Sequence, residues 1–147
     1  SRLMDRLRQK DGLSYSASSS LSMGMRKDLS SWSFAAMAAP QNLDRAEQAF
    51  LEELTRARRD GFTAEEVAEA KKGILEARAV ARSQDSAVAA RWISLLDLGQ
   101  DWLYSKNFET RVMALTPEQV NAAFRKYIDP EQLTLVVAGD ASKGNAN

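Results

Sequence analysis

Two residues near the start of the sequence could do chemistry together: Arg8 and Tyr15, seven positions apart within Ser1–Tyr15 (SRLMDRLRQKDGLSY). A guanidinium and a phenol are both hydrogen-bond donors. Two donors aimed at one carbonyl oxygen stabilise the negative charge that develops on it in a transition state. The rest of the chain withholds the usual catalytic partners. Its 147 residues include no histidine and no cysteine, which excludes a Ser-His-Asp triad, thiolate catalysis, disulfides and zinc sites built on His or Cys within it. The acid pairs Glu52-Glu53 and Glu65-Glu66 read as solvated helix faces, because adjacent residues on a helix do not face each other. No serine has the glycine-flanked elbow of a hydrolase nucleophile. A metal or nucleophile serving Arg8 and Tyr15 is therefore expected outside this chain.

The elements that must position the pair follow from hydrophobic periodicity. Leu3, Met4 and Leu7 share one side of a helix of about three turns, which Ser1 can cap and Gly12 can stop. From Leu13 the period changes to two: Leu13, Tyr15, Ala17, Leu21, Met23 and Met25 alternate with serines and Gly24. This parity predicts a half-exposed strand with Tyr15 on its apolar side and a uniform serine face opposite. Gly24–Ser30 reads as a hairpin loop, and Ser31–Ala39 as a second strand closed by Pro40.

Helices dominate the remainder. The spacing predicts one from Leu43 to Asp60, ended by Gly61. A long helical stretch follows from the Thr63/Glu66 capping box to Gly99, with its break at Ser83–Ser86. Further helices are expected over Trp102–Leu115 and from Pro117 to Ile128, with Trp32, Trp92, Trp102 and Phe124 at core positions. Leu133–Ala138 (LTLVVA) reads as a buried strand, and 141–147 as a disordered tail. The expected fold class is α+β, a small, mostly antiparallel sheet covered by helices on one face, forming a single domain over 1–140. Three strands leave two open edges, so a further strand or a partner is expected to complete the sheet.

Composition narrows the function classes. The 20 Lys+Arg balance 20 Asp+Glu, so the electrostatic footprint of a nucleic-acid or anionic-membrane binder is missing. Apolar residues make up 44% of the chain, as in folded proteins, while the longest apolar run, Phe34–Ala39, is too short to cross a bilayer. The serine face of the first strand can face water, line a wet chamber or accept an extended peptide by strand addition.

The run Ser1-Arg2-Leu3, then Leu7-Arg8, then Gly12-Leu13-Ser14-Tyr15 resembles the signature of the C-terminal half of the pitrilysin family, the inverzincin zinc peptidases that include insulin-degrading enzyme and the mitochondrial processing peptidase. The likeness extends through the Thr116-Pro117-Glu118 helix start to Leu135-Val136-Val137-Ala138-Gly139-Asp140. It implies a processing-peptidase-type metallohydrolase half-domain lacking its first strand and helix. In active members the zinc half carries H-x-x-E-H, which cannot be mapped onto a histidine-free chain. The resemblance thus implies that zinc belongs to a partner half, that this chain holds no metal and is inactive alone, and that the partners are the zinc-bearing half and an unfolded peptide substrate. By the same resemblance Arg8 and Tyr15 contact the scissile region, bind its carbonyl and stabilise the oxyanion while the other half activates water. The alternative it carries is a non-catalytic scaffold or partner subunit of the same fold. Stand-alone relatives are often exported, which points to a bacterial periplasm.

Overall fold

The computed structural model describes residues 2–22 and 30–139. Ser1, most of the expected hairpin loop and the expected tail lie outside the described residues. The chain divides into two units, Ser1–Asp60 with Ile128–Asn147, and Gly61–Tyr127.

In the first unit a helical turn, α1 (Arg2–Met4), runs directly into a π-helical stretch over Asp5–Lys10. Its closing bond, from the Asp11 N–H to the Arg6 carbonyl at 3.0 Å, spans five residues as a π-helix requires. Gly12 then takes φ 61°, the left-handed conformation that lets the chain reverse without a Cβ clash. The Leu13 N–H bonds back to the Leu7 carbonyl at 2.8 Å. This bond ties the first residue after the bend to the middle of the helix.

Two antiparallel strands follow, β1 (Ser14–Ser22) and β2 (Ser31–Ala38), and together they form the sheet. A 3-10 turn at Pro40–Asn42 leads into α2 (Leu43–Asp60). Alanines at 46 and 49 let α2 approach the corner closely, and the core is Leu7, Leu13, Ala17, Ala46 and Ala49, with Met4, Phe34 and Ala38 packed against it. Burying Leu7 and Leu13 contributes roughly 1.5–3 kcal/mol each. Phe34 stacks on Phe50 with ring centres 4.5 Å apart, and Trp32 lies 6.3 Å from the same ring. The inner face of the sheet is thereby covered by α2, while the outer serine face stays open, crossed by a Ser20–Ser33 hydroxyl bond of 2.9 Å.

The second unit contains α3 (Ala64–Ala81), α4 (Asp85–Asp97), α5 (Trp102–Ala114) and α6 (Pro117–Tyr127). Three of its four helix starts carry side-chain caps, and α4 starts without one. Thr63 and Glu66 exchange both bonds of a capping box, Asp101 accepts from the Tyr104 N–H at 3.2 Å, and Thr116 and Gln119 form a second reciprocal pair at 3.0 and 3.3 Å. Gly61, at φ 76°, packs so tightly on Asn121 that an added Cβ would stand 2.8 Å from its side-chain nitrogen. Asn121 in turn bonds both the N–H and the carbonyl of Phe62, at 2.7 and 3.0 Å. The expected break in the long helical stretch is present between Ala81 and Asp85.

The α+β class and the one-sided helical cover are as expected, with three corrections. Leu133–Ala138 is not a strand but an extended, exposed segment in which Leu135, Val136 and Val137 are 61, 82 and 55% exposed. A strand needs a neighbour to satisfy its N–H and C=O groups, and among the described residues none bonds to this run. Trp92, expected in the core, is 41% exposed. Glu53, expected on a solvated face, is buried at 2% exposure.

Candidate functional site

The helix-to-strand corner is where the two proposed donors sit, and its local backbone decides what each can reach. Cα pairing from Ser16 to Ser22 against Met37 to Ser31 is regular. At the start of β1, however, Ser14 pairs with Ala38 while Ser16 pairs with Met37, so two steps on one strand answer a single step on the other. Tyr15 is the extra residue of this β-bulge. A bulge re-aims side chains, and here it reverses the alternation read from sequence. Ser14 turns inward and is buried, Ala17 remains inward, and Tyr15 is 77% exposed. The half-buried tyrosine expected from parity is therefore corrected to a solvent-facing phenol. No residue type in the sequence marks the extra residue, because Leu13, Tyr15 and Ala17 preserve the period-two pattern through it.

The arginines of the preceding helix are sorted just as sharply. Arg6 is committed: its guanidinium donates to Asp11 at 2.5 Å and to Glu52 of α2 at 3.0 Å. These bonds, the one to Asp11 foremost, hold its pKa above the usual arginine value. Arg8, two residues on, is exposed. Among the described residues neither the Arg8 guanidinium nor the Tyr15 hydroxyl makes a hydrogen bond, ion pair or ring contact. The corner thus fastens its backbone through Leu7, Leu13 and Arg6 while leaving the two donors uncommitted on its surface.

A concavity runs along α2, lined among others by Arg6, Asp44, Gln48, Glu52, Glu53 and Arg56. It includes neither Arg8 nor Tyr15. Its charges are largely paired with each other, Arg6 with Glu52 and Arg56 with Glu53 at 2.6 Å, so it reads as a salt-bridged helix surface. Glu53 Oε2 is buried without a hydrogen-bond partner. The signal for its burial was present in the sequence, since Glu53 falls on the same stripe of α2 as Ala46, Ala49 and Ala57 at three- and four-residue steps.

Among the described residues no group of side chains fits a zinc ion. The sequence supplies no imidazole or thiolate, and among the described residues no three acidic side chains are grouped closely enough to hold a metal. Among the same residues no helix is long and apolar enough to cross a membrane.

Comparison with known proteins places this architecture. A crystal structure of a peptidase M16 inactive domain from Pseudomonas fluorescens superimposes with a TM-score of 0.71 at 19% sequence identity, covering 90% of this chain and 31% of that one. The fold is thus that of an M16 inactive domain, and the chain spans about a third of the length of the solved relative. The family model described as the peptidase M16 inactive domain matches residues 1–74, just over half of the sequence and all of the helix-to-strand corner. The chain belongs to the peptidase M16 family, to the domain class that the family itself designates inactive. No curated protein matches the sequence.

Proposed function

We propose that this chain is the substrate-contacting, non-catalytic half of a two-part zinc peptidase, and that Arg8 and Tyr15 donate hydrogen bonds to the scissile carbonyl of an unfolded peptide and to the oxyanion formed from it. The zinc-bearing half, carrying H-x-x-E-H, supplies the activated water when bound to its metal. The observation that carries this reading is the contrast within one corner: Arg6 is consumed by Asp11 and Glu52, whereas Arg8 and Tyr15 stand exposed with no partner among the described residues. Exposed donors on a rigid corner lose little freedom when a substrate closes over them. The open serine face beside them suits the wall of a hydrated chamber between two halves.

In the complete enzyme or two-chain assembly, Arg8→Ala is expected to lower kcat/KM for peptide cleavage by about 10²-fold, the cost of losing one oxyanion donor. Tyr15→Phe lowers it by roughly tenfold or more. Zinc content is unchanged in both. Unaltered turnover in both variants sinks the assignment, and zinc-dependent cleavage by this chain alone sinks the division of labour.

The second reading, a scaffold subunit of the same fold, is favoured by the apolar side chains that the Gly61–Tyr127 unit leaves in solvent, among them Ile93, Leu96 and Leu103 at 69, 67 and 57% exposure. An H-x-x-E-H motif in the upstream polypeptide or in a neighbouring reading frame decides for the peptidase, and its absence from both decides for the scaffold.

A further inference from the structure

We infer that Ser14 is a positioning residue for Tyr15: its buried hydroxyl staples the β-bulge that turns the phenol out of the hairpin. Two registers are open to this strand. If the regular pairing of Ser16–Ser22 continued one step further, Tyr15 would face Ala38 and share the inner side with Ala17, and Ser14 would point outward. Hydrophobicity favours that register, because it buries a large ring and exposes a small hydroxyl. The observed register does the opposite. It must be held by something on the inner side.

Ser14 is what stands there. It is 6% exposed, and its Oγ lies 2.6 Å from the Ser16 carbonyl oxygen and 2.9 Å from the Met37 carbonyl oxygen. Its single proton can be shared between one acceptor two residues ahead on β1 and one across the ladder on β2. These two carbonyls belong to the Ser16–Met37 pair, the first regular pair beyond the register change, so the hydroxyl bridges the strands where the extra residue disturbs the ladder. The inner space is also taken: Leu7, Leu13, Ala17, Ala46 and Ala49 fill it. A small residue with a hydroxyl satisfies both demands, whereas a phenol in its place would have to displace the cluster. Losing the hydroxyl leaves the bulge carbonyls short of a donor in a buried setting and returns the balance to the regular register.

The kinetic part of this inference rests on the reading of Tyr15 as a substrate donor; the structural part does not. The test uses Ser14→Thr and Ser14→Val in the complete two-part enzyme. These substitutions have nearly the same shape and differ in the hydroxyl. Ser14→Val is expected to lower kcat about tenfold with KM within about twofold, at unchanged zinc content, while Ser14→Thr retains most of the rate. In a Tyr15→Phe background the same Ser14→Val change should cost less than about twofold, because it acts through the phenol already lost. A full tenfold loss on top of Tyr15→Phe overturns the proposal, as does an equal loss in the Thr and Val variants. Should Ser14→Val fail to fold, Ser14→Thr must still fold with a normal register, and failure of both alike overturns the staple. If Tyr15→Phe itself leaves turnover intact, the substrate-donor reading has failed; the staple is then judged by crystal structures of the two variants. Tyr15 turned inward in Ser14→Val and outward in Ser14→Thr supports it, and an unchanged bulge in Ser14→Val overturns it.

Discussion

Around the helix-to-strand corner, Leu7, Leu13, Ala17, Ala46 and Ala49 close into one buried cluster. In Gly61–Tyr127, by contrast, the buried side chains among the described residues are only Val67, Leu95, Ser105 and Val112. The second unit relies instead on capped helix starts and on a charged network, in which Arg78 donates to Glu109 at 2.9 Å and to Ser105 at 2.8 Å, Arg82 donates to the same carboxylate, and the Arg78 guanidinium lies over the Phe108 ring. Apolar burial is concentrated in the first unit, whereas the second combines directed polar bonds with the ring contacts of Phe62 with Phe124 and Trp92 with Trp102. The difference bears on the proposed function: a dry, close-packed corner would keep its geometry on meeting a ligand, whereas a unit with much of its apolar surface in solvent has area left to share with other chains.

The largest expected effect comes from opening the dry cluster. Leu7 is fully buried, so Leu7→Ala costs about 2–5 kcal/mol; urea unfolding measures it, and a loss below about 1 kcal/mol would show that the corner is not packed as described. A step smaller is the cap of α3. Thr63→Ala removes one half of a capping box and costs roughly 1 kcal/mol, read from the thermal midpoint, with Thr63→Ser recovering most of it.

The charged network adds a pH dependence that the apolar cluster cannot. The hydrogen bond from Arg78, then that from Arg82, holds the Glu109 pKa below its ordinary 4.5. A depressed folded-state pKa means that this stabilisation is present above the unfolded value and is lost as pH falls through the folded one. Stability is therefore expected to decline below about pH 4.5, more steeply in the native chain than in Glu109→Gln, and identical acid titrations of the two would separate the network from stability. The smallest effect is expected at Glu53, whose buried carboxylate has one oxygen paired with Arg56 and one without a partner. Replacing an incompletely satisfied buried charge by an apolar side chain of similar size is often neutral or stabilising, so Glu53→Met should leave stability within about 1 kcal/mol of the native chain or raise it. A loss of several kcal/mol would show that the pair is a keystone of α2.

Local signals were the legible part of this fold. Gly12 and Gly61 end their helices with positive φ, Thr63/Glu66 and Thr116 begin theirs as capping patterns require, and Pro117 opens α6. Helix ends are written in bonds between residues a few positions apart, so their chemistry is visible in a short window of sequence. The candidate site was legible only as a pair of residue types at a spacing. That Arg6, and not Arg8, is absorbed into the core's rim depends on Glu52, which is 46 positions away in sequence.

The sequence by itself determined the α+β class, the ends of the long helices, the serine face and the absence of histidine and cysteine. Tertiary structure decided which way Tyr15 faces. Its exposure depends on the register of β1 against β2 and on a hydroxyl that reaches the Met37 carbonyl 23 residues along the chain, and such pairing is set by contacts across the hairpin rather than by the period-two pattern within one strand. For the same reason Leu133–Ala138 has a strand's composition without a strand's bonds: β propensity is local, but a ladder needs a neighbour.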